Sequence, residues 1–176
     1  MNGIRLLEYR LAGRYRSVLA RVDLVLDQAA AMIVQRERHG IGRVEVTVTI
    51  EDGIPDLVCA AHEDLFGRSD WDDWAGPGRH GVATLNLAGT LIVINAQSLC
   101  GKQAEIDKTV LHELTHAAQF ERPGNRRTAE RAIAHNYGIG WLEDREAHAL
   151  NRRIARDERE AEKAERLHRD LARAIA

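Results

Sequence analysis

The stretch Val110-Leu111-His112-Glu113-Leu114-Thr115-His116-Ala117-Ala118 decides how the rest of the chain is read. Its residues suit a helix, on which positions four apart lie on one face about a turn from each other. The imidazoles of His112 and His116 can then reach one metal ion. Glu113 projects beside that ion, where it can take a proton from a water. Val110, Leu111, Leu114, Ala117, Ala118 and Phe120 make the same segment core-like rather than solvated. The spacing therefore predicts a buried helix carrying a Zn2+ site. The expected chemistry is zinc-dependent hydrolysis of a peptide bond with Glu113 as general base. A non-catalytic, metal-stabilised binding or regulatory module is the alternative that the same residues allow.

The 176 residues are enough for one domain with a real core. Residues 1–150 are expected to form it, with 151–176 as a charged helical extension of the same domain. A formal charge of −2 gives no general field for nucleic acid or an acidic membrane surface. No apolar run approaches the roughly 20 residues needed to cross a bilayer. Cys59 and Cys100 are too few for a disulfide framework and lack metal-type spacing. A cytoplasmic protein with reduced thiols, acting on a protein or peptide substrate, is the expectation.

Outward from the motif, the pattern predicts an α+β chain. Arg14 to His39 reads as a long helix through Val18, Val22, Val25, Leu26, Ala29 and Ile33, with Gly40 as its stop. Arg43 to Ile50 alternates, placing Val44, Val46, Val48 and Ile50 on one side of a half-buried strand. Ile54 to Gly81 shows no sustained period and reads as a long loop, with Trp71 and Trp74 either rimming a cleft or capping the core. Val82 to Leu87 and Thr90 to Asn95 read as a hairpin turning at Ala88-Gly89. Asp107 is placed to cap or enter the motif helix, which Pro123-Gly124 ends. A short helix from Thr128 to Asn136 and a Gly138-Ile139-Gly140 break lead to a last helix. Beyond Asn151 its charges are spaced as on an exposed face, with docking of a protein partner as the alternative use.

A catalytic zinc takes three protein ligands, so a third must follow. The candidates are His135, Glu143, Asp144 and Glu146. With Ala147, Leu150 and Ile154 as the inward stripe of the last helix, Glu143 falls within about 15° of its centre. Glu146 lies about 75° away and Asp144 about 90° away. An acid amid an apolar face is costly to bury without a charged partner, which favours Glu143 as ligand. Tyr137 and His135 are candidates to stabilise an oxyanion near the metal.

The motif, together with Trp141-Leu142-Glu143-Asp144-Arg145-Glu146-Ala147, resembles zincin metallopeptidases of the gluzincin type. It looks like small bacterial and phage-borne members and like peptidases of the ImmA/IrrE type, over roughly residues 91–150. The resemblance implies a zincin-like fold. Its parts would be a long N-terminal helix, a small, twisted, mostly antiparallel sheet with an edge strand beside the cleft, the active-site helix and a closing helix. It also implies His112, His116 and a downstream Glu as metal ligands. Those families commonly show Glu-x-x-Ala followed by Asp or Asn, whereas Asp144 stands three residues before Ala147 here. The third ligand thus stays open among these acids. His135 belongs to the set because the chain is also similar to the SprT-like group, in which a His completes the site.

Overall fold

The computed structural model describes residues 3–67 and 78–176. The readings of Trp71 and Trp74 lie outside these residues. The chain is α+β, with a four-stranded sheet ordered β1-β2-β4-β3. Its strands are β1 (Gly3–Glu8), β2 (Arg43–Thr49), β3 (Gly81–Asn86) and β4 (Gly89–Asn95). The β3–β4 hairpin is antiparallel, as its short turn requires, with Val82 opposite Val93. Strand β1 lies parallel to β2, and β2 lies parallel to β4. The sheet is therefore mixed, which corrects the expected antiparallel one. Residue alternation reports which face a side chain takes, but not the direction of the neighbouring strand. Here α1 (Arg16–Glu37) and α2 (Gly53–Phe66) supply the crossovers that parallel pairing needs.

Valines 44, 46 and 48 face α1 together with Ile92 and Ile94, as the alternation of β2 predicts. Helix α1 meets them with Val18, Val22, Val25, Ala29 and Ile33, all fully buried. It stops at Arg38, whose left-handed backbone (φ 60°) ends the helix before Gly40 is reached. The opposite sheet face is covered too. Helix α2 lays Ile54, Val58 and Ala61 over Leu91, Val93 and Val82, so the long loop expected after residue 54 begins as a helix. Thr47 and Thr49 are buried beneath that layer rather than facing water.

After the hairpin, α3 (Ala96–Leu99) leads to the motif helix α4 (Gln103–Glu121), and α5 (Asn125–Asn136) follows. The chain then forms α6 (Asp144–Ala164), which runs through Asn151 without a break, and α7 (His168–Ala174). The segment beyond Asn151 is not simply an exposed face. Ala161, Ala164 and Leu171 are fully buried, the last two within the main core. Asp107, expected near the start of the motif helix, lies one turn inside it and binds Arg21 of α1 through two hydrogen bonds of 2.8 and 2.6 Å. No described helix is long and apolar enough to cross a membrane.

Where α2 meets α5, His62 is fully buried. One ring nitrogen faces the Tyr137 hydroxyl and the other lies 2.7 Å from Thr84 Oγ1. Burial pushes His62 down to about 4. The unfolded chain, with an ordinary imidazole near 6.5, binds the proton first as pH falls. Stability tied to neutral His62 is therefore fully present above about pH 6.5 and is lost toward pH 4. Thermal melts of His62→Gln across that window should show a shallower decline than the parent protein, whatever its lower starting point.

Candidate metal centre

Helix α4 is committed on one side before any chemistry is considered. Leu111, Leu114, Ala117 and Ala118 are fully buried in the core shared with α1 and the sheet. That burial fixes the rotation of α4 and turns His112 and His116 toward a cleft. The cleft is bounded by β3, α4, α5 and α6. The two Nε2 atoms stand 3.1 Å apart.

The third group comes from α6, and it is Glu158. Its carboxylate oxygens lie 3.5 Å from His112 Nε2 and 3.4 Å from His116 Nε2. Among the described residues, His112, His116 and Glu158 form a group whose donor atoms all lie within 4.8 Å of one another. The outer nitrogens are held as well. His112 Nδ1–H donates to Glu165 Oε1 at 2.8 Å, and His116 Nδ1–H donates to Gln119 Oε1 at 2.8 Å. Gln119 can accept in this way because its Nε2 donates to the Asp157 carbonyl at 2.8 Å. Both tautomers are thereby set with Nε2 lone pairs pointing inward, as metal-binding imidazoles require. Two imidazole nitrogens and a carboxylate are a donor set that fits zinc.

The charges around these groups would suit a cation. Burial opposes charge on His112, but the hydrogen bond to Glu158, the charge of Glu113 and the hydrogen bond to Glu165 win and push it up to about 9. Its hydrogen bond from His112 holds Glu158 below the usual carboxylate range, against the cost of burial. Burial holds His116 below the ordinary imidazole range despite the Glu158 charge. Glu113 is buried behind the cluster, and burial pushes its carboxyl up to about 7, with His112 working in the other direction.

Of the residues singled out from the sequence, His112, Glu113 and His116 come together and the rest do not. Glu143 is the exposed N-cap residue just before α6, with its backbone N–H donating to Glu146 Oε2 at 3.3 Å. Glu146 pairs instead with Arg131 at 3.1 Å. Asp144 is exposed in the first turn. His135 turns its Nδ1 to the Gly140 carbonyl and packs edge-on against Trp141. Tyr137 is buried against His62 and is absent from the lining of the cleft, so its expected oxyanion role is corrected. The stripe of Ala147, Leu150 and Ile154 is not a buried face: Ile154 is exposed, and it lines the cleft together with Leu150. Glu158 lies eleven residues after Ala147, three turns along the same face, and one turn after Ile154. That periodicity is the signal that could have found it. The charged composition of the segment hid it.

No protein-family model, curated protein or solved structure matches this chain. The centre is defined by its own geometry. Glu158→Gln should lower zinc affinity steeply, whereas Glu143→Gln should leave it within about twofold, as for surface changes far from a site. Glu165→Ala should cost about 10–100-fold in affinity by freeing the His112 ring. Competition with a chromophoric chelator measures all three.

Proposed function

We propose that the chain is a zinc-dependent metallopeptidase, with Zn2+ held by His112, His116 and Glu158. The reading is carried by one observation. Three ligating groups of the kind zinc prefers converge beside a buried glutamate at the wall of an open cleft. The resemblance of the motif to zincin peptidases supports the same conclusion. When bound, zinc supplies Lewis acidity that acidifies water and polarises a carbonyl.

The chain's own residues do the rest. Glu113, raised to about 7, can accept a proton from water near neutral pH and return it to the departing amine. The cleft encloses about 410 Å³, and Phe120, Ala129, Ile133, Leu150 and Ile154 line one part of it. Such a wall suits an apolar side chain of a bound peptide, seated where its burial adds affinity. Cys59 and Cys100 are free thiols, consistent with a cytoplasmic setting.

Glu113→Gln keeps the shape of the side chain and removes the base. Zinc content should stay at the parental level while peptide cleavage falls about 10²–10⁴-fold. Cleavage at the parental rate by this variant would sink the assignment.

A further inference from the structure

The carboxylate of Glu113 accepts no hydrogen bond among the described residues, although the side chain is buried. Besides the charges of His112 and Arg79, its position is held by shape. On one side stands Thr109, one turn earlier on α4, and on the other the first residue of the edge strand, Gly81. A Cβ built at residue 81 would stand 2.8 Å from Glu113 Oε1, 3.1 Å from Glu113 Cγ and 2.9 Å from Thr109 Cγ2. Gly81 does not adopt a left-handed backbone, so nothing in the strand itself asks for glycine there. What glycine keeps is the space that the carboxylate fills.

Gly81 is itself pinned from the far side. Asn95, fully buried at the end of β4, donates its backbone N–H to the His80 carbonyl at 2.8 Å and its side-chain amide to the Arg79 carbonyl at 2.9 Å. The backbone that enters β3 is thereby locked to β4, with Gly81 opposite Ile94. It cannot easily retreat from an added methyl group. The flexible partner is the end of the Glu113 side chain, so the strain of a larger residue falls on the carboxylate.

We infer that Gly81 is a positioning residue for Glu113, forming with Thr109 a slot that aims the carboxylate into the cleft without hydrogen bonds. The inference rests on the peptidase reading for its kinetic consequence, but its structural content stands apart. Gly81→Ala should displace the Glu113 carboxylate by about 1 Å while His112, His116 and Glu158 stay in place. A misplacement of that size lowers kcat about 10²-fold. KM and zinc stoichiometry should remain at the parental level.

The deciding experiment combines a crystal structure of zinc-loaded Gly81→Ala with steady-state cleavage of a quenched fluorescent peptide. Gly81→Ala is also placed in the Glu113→Gln background. There it should change the residual rate by less than about twofold, because the two changes act through one group. A role of Gly81 in strand packing alone would instead lower zinc binding and the residual rate. Thr109→Ser loosens the slot from the other side while keeping the Oγ1 bond to the Glu105 carbonyl. It should fold even if Gly81→Ala does not, and should lower kcat several-fold. An undisplaced carboxylate in Gly81→Ala, or parental kcat in either variant, overturns the inference. If the parent protein cleaves no peptide, the peptidase reading fails and the carboxylate position in the crystal still decides the role of Gly81.

Discussion

The rotation of α4 about its axis is the constraint on which the centre depends. A helix that buries Leu111, Leu114, Ala117 and Ala118 between α1 and the sheet has no freedom to turn. Burying each large aliphatic side chain contributes about 1.5–3 kcal/mol, so re-aiming the helix would forfeit several such contributions at once. The Arg21–Asp107 pair adds a directional tie between α1 and α4. Histidines 112 and 116 are consequently offered to the cleft by packing that has no chemical role of its own.

What faces them is a long charged helix, held down by ionic contacts more than by apolar ones over the part that carries Glu158. Arg122, just after α4, reaches Glu37 of α1 at 2.6 Å and Glu160 of α6 at 2.8 Å. Arg36 donates to the Glu160 carbonyl at 3.0 Å, and Gln119 donates to that of Asp157. These contacts bracket Glu158 on either side. The same segment then places Glu165 behind His112, so one arm supplies both the third group of the proposed zinc site and the carboxylate that orients His112. Further along, Ala164 and Leu171 anchor it in the core.

Much of the frame was legible because local rules and tertiary packing agree there. The long first helix, the alternating β2, the β3–β4 hairpin and the motif helix all appear close to the expected bounds. Three features were hidden for physical reasons. Helix α2 begins at a glycine and carries a proline in its first turn, signals that read equally as a turn. Strand β1 is a short edge strand with weakly patterned exposure, recognisable only once β2 stands beside it. The direction of pairing in the sheet leaves no trace in side-chain alternation, since either direction presents the same faces.

At the centre, the sequence by itself determined the pair of histidines and the glutamate between them. Four residues make about one helical turn, so a local rule brings His112 and His116 together in any fold that keeps the helix. The third group was decided only by tertiary structure. Glu158 lies 42 residues after His116, in a segment rich in acids of the same kind. Which of them meets the histidines depends on where α6 starts and how far it slides along α4. That offset is set by Arg122, Gln119 and the buried alanines of α6, contacts between residues far apart in the chain.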